Sequence, residues 1–72
     1  MATADDTTRK IGKKLKELRL ERGMTQAAVA VRAKMHPNYY AKVERGDQKP
    51  SIEIYERIAK ALKVTSADIF PF

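Results

Sequence analysis

The chain has 72 residues, 43% of them hydrophobic, and a net charge of +6. A chain this short buries only about 60% of the surface its unfolded form exposes, which allows one thin core and no cleft between domains. It has no cysteine and a single histidine, His36, which excludes disulfides, thiolate or histidine-cluster metal sites and His-based triads.

No apolar run approaches the ~20 residues of a membrane helix. The opening MATADDTTRK lacks the apolar stretch of a secretory signal. The expectation is a soluble cytoplasmic protein with no membrane partner. No nucleophile–base pair or metal-ligand set is visible. We therefore expect no enzyme, no cofactor and no small-molecule substrate.

The charge is unevenly placed. Residues 9–22 carry Arg9, Lys10, Lys13, Lys14, Lys16, Arg19 and Arg22 against Glu17 and Glu21. Residues 32–49 carry Arg32, Lys34, Lys42, Arg45 and Lys49 against Glu44 and Asp47. Residues 50–72 are neutral and end apolar. A basic first two-thirds points to a polyanion, with nucleic acid the first candidate. A merely solubilising surface is the competing reading.

In chain order, residues 1–7 are expected to be a flexible tail and 8–72 the folded domain. Ile11, Leu15 and Leu18 recur at helical spacing. Helix 1 is therefore predicted from about Thr8 to Arg22, stopped by Gly23. Thr25 opens helix 2, which continues through about Ala33. His36-Pro37 marks the start of helix 3, since proline is tolerated at the first helical position. Met35 and Tyr40 are spaced for a hydrophobic staple across that start. Helix 3 runs to Arg45 and stops at Gly46. Ser51 caps helix 4, whose apolar stripe is Ile52, Tyr55, Ile58, Ala59 and Leu62. Thr65 or Ser66 caps a last helix, Ala67 to Phe70, ended by Pro71. Leu20 and Ile54 fall opposite the stripes of their own helices. Glu53 and Glu56 complement the helix 4 dipole. No strand-like alternation occurs, so the fold class is all-α with five helices.

Helices 2 and 3 are short and separated by Lys34-Met35-His36, the spacing of a helix-turn-helix. Val29, Ala33, Met35, Tyr40 and Val43 fall at the apolar offsets such packing needs, and Ala30 is small where the helices cross. From Ile11 to Phe70, in LKELRLERGMTQAAVA and VERGDQKPSIEIYERIAKALKV, the sequence resembles the lambda-repressor-like, Xre-type helix-turn-helix family. That resemblance implies a compact five-helix domain and sequence-specific binding to double-stranded DNA. It also implies a homodimer on a near-palindromic operator, with helix 3 in the major groove.

Carried over residue by residue, the resemblance makes His36, Pro37, Asn38 and Lys42 the base-contacting set. Thr25, Gln26, Tyr39, Arg45 and Lys49 become phosphate contacts, with Gln26 also bracing helix 3, and Arg19–Glu44 a structural ion pair tying helix 1 to helix 3. Chemistry supports part of this independently, because asparagine can bond adenine N6 and N7 together and lysine suits guanine or phosphate. The family most often has glycine where Lys34 stands, in a left-handed conformation, and Ile or Val where Tyr40 stands. The apolar end, Ile69, Phe70 and Phe72, is expected to form the dimer interface. The leading function is a transcriptional regulator, a repressor or autoregulator, associated with the nucleoid. The alternative is a protein-interaction module, antitoxin-like or binding a polymerase or another regulator, with DNA secondary.

Overall fold

The structure is a computed structural model that describes residues 6–70. Those residues form five helices: α1 Asp6–Glu21, α2 Gln26–Arg32, α3 Pro37–Arg45, α4 Ile52–Leu62 and α5 Ser66–Ile69. Helix α1 begins two residues earlier than the sequence suggests, so Asp6 and Thr7 belong to the helix. Asp6 sits in its first turn, where a carboxylate complements the helix dipole. The rest of the expected tail, 1–5, lies outside the described residues, as do Pro71 and Phe72.

The helix ends follow from local chemistry. Thr25 caps α2 by accepting from the Ala28 N–H at 3.0 Å, and Ser51 caps α4 by accepting from the Ile54 N–H at 3.4 Å. At α5 the Thr65 N–H and hydroxyl both donate to the Asp68 carboxylate, at 2.9 and 3.0 Å. The first four helices all end in the same pair of bonds, in which the residue after the cap and its successor reach back to the last turn. For α2 these are Lys34 N–H to Val31 O at 3.1 Å and Met35 N–H to Ala30 O at 3.0 Å. The motif needs a left-handed residue. Gly23 and Gly46 supply it after α1 and α3, whereas Lys34 (φ 60°) and Lys63 (φ 59°) supply it after α2 and α4. The expectation that Lys34 is left-handed is correct, and Lys63 repeats the device unforeseen.

The core draws on all five helices: Ile11, Leu15 and Leu18 of α1, Val29 and Ala30 of α2, Tyr40 and Val43 of α3, Tyr55, Ile58 and Leu62 of α4, and Ile69 of α5. Helix α3 packs on α1 and α2, α2 packs on α4, and α5 bridges α4 and α1. The offsets expected for a helix-turn-helix hold, with Val29, Ala30, Ala33, Tyr40 and Val43 buried and Met35 half-buried against them. Leu20 is 58% exposed, as its position suggests. Ile54 is not: it is half-buried against the core.

One close approach sets the α1–α3 distance. A Cβ at Gly12 would lie 2.7 Å from the Val43 carbonyl oxygen and closer still to that of Glu44. Any larger residue forces the two helices apart. An isolated glycine inside a helical pattern was the available sequence signal.

Candidate nucleic-acid interface

Helix α3 is divided lengthwise. Tyr40, Val43 and Glu44 are buried, while Pro37, Asn38, Lys42 and Arg45 are exposed. Asn38, Lys42 and Arg45 stand at i, i+4 and i+7, so they share one stripe. Tyr39 lies between the two sides, half-buried against the core. The four residues expected to read bases are thus together at the solvent-facing beginning and middle of one helix.

His36 caps that helix. Its Nδ1 accepts from the Asn38 N–H at 3.0 Å. With Nδ1 acting as acceptor, a neutral ring carries its proton on Nε2. The side chain therefore holds the helix start with one nitrogen and offers a donor with the other. The starts of α2, α4 and α5 use hydroxyl or carboxylate groups.

Behind the exposed stripe lies a charged brace. Arg19 Nε donates to Glu44 Oε2 at 2.6 Å and Nη2 to Oε1 at 3.2 Å, while Nη1 donates to the Met24 carbonyl at 2.9 Å. Gln26 Nε2 donates to Glu44 Oε1 at 3.0 Å. One carboxylate of α3 is thereby bonded from α1 and from the first residue of α2. The pair is internal, with Arg19 8% and Glu44 7% exposed. Burial alone would push the Glu44 carboxyl up. The bond from Arg19, the adjacent Tyr40 hydroxyl and the bond from Gln26 outweigh it and hold the group below the usual glutamate value. Tyr40 fills the centre completely, and its buried hydroxyl makes no hydrogen bond of normal geometry. Burial beside Glu44 pushes that phenol up, so it stays protonated.

The expected phosphate contacts have varied surroundings. Thr25 is exposed and already occupied as a cap. Gln26 is half-buried and spends one amide hydrogen on Glu44. Arg45 is exposed and donates through Nε to Asp47 Oδ2 at 3.0 Å, which leaves its remaining donors outward. Lys49 is exposed in the loop after α3.

The expected dimer residues need correction. Ile69 is 1% exposed, so its side chain belongs to this chain's own core and has no surface for a partner to cover. Phe70 is half-buried, packed edge to face on Tyr55 with ring centroids 5.5 Å apart. Phe72 lies outside the described residues.

Arg57 of α4 went unnoticed in the sequence. Its Nε donates to the Ala33 carbonyl at 2.9 Å, and its Nη2 donates to the Lys34 carbonyl. Among the described residues, no helix is long and apolar enough to cross a membrane. No group of three or more His, Cys, Asp or Glu side chains among them is placed to hold a metal ion.

Comparison with known proteins agrees with this geometry. The control protein C.BamHI of Bacillus amyloliquefaciens is 34% identical over 62 residues, spanning 85% of this chain and 76% of that protein. The restriction-modification controller protein C.AhdI of Aeromonas hydrophila superimposes with a TM-score of 0.85 at 30% identity, covering 88% of this chain and 96% of that one. The controller protein C.Esp1396I, solved as a tetramer in complex with its natural 35 base-pair operator, superimposes at 0.83 with 30% identity over 88% of this chain and 83% of that one. The helix-turn-helix family model matches residues 15–69, which takes in the brace, the turn and the exposed stripe alike. By sequence and by fold, this chain belongs to the helix-turn-helix family of Xre type.

Proposed function

We propose that this protein is a sequence-specific double-stranded DNA-binding transcriptional regulator that works by occupying an operator, as a repressor or autoregulator. The observation that carries the reading is the division of α3. Asn38, Lys42 and Arg45 line its exposed side, while its buried side is bonded to two other helices through Glu44. A helix held that firmly can present donors at a fixed pose in the major groove.

In this reading, Asn38 bonds adenine and Lys42 bonds guanine or phosphate. Pro37 offers apolar contact, and His36 donates from Nε2 to a base or phosphate acceptor. Arg45 and Lys49 meet phosphate beyond the helix end, with Thr25, Gln26 and Tyr39 on the opposite flank. The protein acts as a homodimer, without a catalytic step and without a cofactor, on nucleoid DNA in the cytoplasm. The likeness to C.Esp1396I, solved with its operator, supports operator binding by an assembly of subunits.

The deciding experiment is selection from a random duplex library at physiological salt, with sequencing of the bound pool. An enriched inverted repeat with half-sites about 10 base pairs apart is expected. General, salt-sensitive binding with no enriched sequence would overturn this reading in favour of a protein-interaction module.

A further inference from the structure

We propose that Arg57 is a positioning residue for DNA reading. From α4 it holds the α2–α3 turn in its left-handed form, and so sets the angle at which α3 presents Asn38 and Lys42. The inference rests on the DNA-binding function proposed above and extends it to a residue outside the exposed stripe.

The turn is costly as built. Lys34 has φ 60°, a left-handed conformation in which the Cβ crowds the following carbonyl oxygen and which a residue other than glycine adopts only under strain. The glycines after α1 and α3 avoid that cost. The Ala33 and Lys34 carbonyls also lie past the reach of the bonds that close α2, since those bonds end on Val29, Ala30 and Val31. Arg57 meets both problems, because its planar fork donates to two adjacent carbonyls at once. A guanidinium at this end of α2 also complements the negative end of the helix dipole. The clamp originates on α4, which packs on α2, so the turn is referenced to the core and not only to its own residues.

The geometry makes this a lever on recognition. Lys42 lies five residues into α3, about 7.5 Å along the axis at ~1.5 Å per residue. A tilt of about 10° at the turn would move it by more than about 1 Å. Direct base contacts need donor–acceptor distances of roughly 2.7–3.2 Å, so that shift is enough to break them. Phosphate attraction is far more tolerant of such a shift.

The test compares wild type, Arg57→Met, Arg57→Lys and the double variant Arg57→Met with Lys34→Gly. Each binds the library-selected duplex and a random duplex of equal length across a salt series, at a temperature where circular dichroism shows it folded. Arg57→Met should weaken binding to the selected duplex about tenfold, with affinity for random duplex and the salt slope unchanged. Arg57→Lys should fall between, having one ammonium in place of a fork. Lys34→Gly should restore most of the ratio in the Arg57→Met background, because glycine adopts the turn unaided.

Equal losses on both duplexes with a shallower slope would make Arg57 a phosphate contact and overturn the proposal. So would an unchanged ratio, or failure of the glycine to restore it. Should Arg57→Met not fold, the lysine and double variants test the same ratio. Amide chemical shifts read the turn without DNA. Changes at residues 33–42 in Arg57→Met that revert with Lys34→Gly are expected, and their absence refutes the clamp. A wild type that binds both duplexes alike, with those shifts present, would sink the functional reading while leaving the clamp intact.

Discussion

His36 stands where helix starts usually carry serine, threonine, aspartate or asparagine. Its ring nitrogen does the same work, accepting from the Asn38 N–H. Removing it should cost about 1 kcal/mol of stability, as loss of other caps does. His36→Ala should therefore unfold at lower urea than wild type, and His36→Asn, which retains an acceptor, should recover most of the difference. Glu44 is a heavier commitment, because Arg19 of α1 and Gln26 of α2 both donate to its carboxylate. Its folded carboxyl titrates below the unfolded value of about 4.3. The stabilisation it provides is therefore complete above that pH and is lost as pH falls through the lower folded value. Acid titration of the fold should show this loss, and Glu44→Gln should abolish it. That variant should also cost roughly 3–5 kcal/mol at neutral pH, because Arg19 is left buried without its counter-charge. An unchanged melting temperature would place the pair outside the fold's energetics.

At the scale of elements, the boundaries follow from caps and left-handed stops. The sequence reading was close there: α3 starts at Pro37 and ends at Arg45, α4 starts after Ser51, and differences elsewhere are one or two residues. Such ends depend on neighbours within four or five positions, which the sequence displays directly. How helices cross depends on residues far apart in the chain, and Gly12 is the clearest case. Alanine normally favours a helix by about 0.5–1 kcal/mol over glycine. At Gly12 the added Cβ would press into the Val43 and Glu44 carbonyls of α3. Gly12→Ala should therefore destabilise the protein, by roughly 1–3 kcal/mol as other overpacked contacts do. Thermal denaturation showing a gain would mean that α1 and α3 can separate freely.

For the whole molecule, the +6 charge and the exposed side of α3 make separable contributions. Asn38→Ala should cost roughly 1–3 kcal/mol on the selected site and relax its sequence preference. Arg45→Ala should weaken selected and random duplexes alike, and should reduce the salt slope by about 0.9. An unchanged slope would show that Arg45 makes no phosphate contact and that its role is limited to Asp47. Dimerisation belongs to this scale too. With Ile69 taken into the core, an α5-centred interface has less apolar surface than the sequence implies, and Phe70 is its half-buried contributor among the described residues. Sedimentation should show a dimer in the presence of the selected duplex. A monomer at tens of micromolar, with and without DNA, would remove the homodimer from the proposed function.

The sequence alone determined the helices, their caps, the left-handed Lys34, the apolar offsets of the helix-turn-helix and the family. The family resemblance placed Arg19 with Glu44, and helical spacing put Asn38 and Lys42 on one side of α3. Each of these depends on residue type at short, periodic spacing, or on a motif spanning most of the chain. Only the tertiary structure decided that Ile69 is core, that Gly12 receives two carbonyls, that Gln26 braces α3 through Glu44 in particular, and that Arg57 reaches back to the turn. Those facts are contacts across 18 residues or more, from Gln26 to Glu44 and from Arg57 to Ala33. They depend on the angle and depth at which helices pack. That geometry is set by the filling of the whole core, not by any local stretch of it.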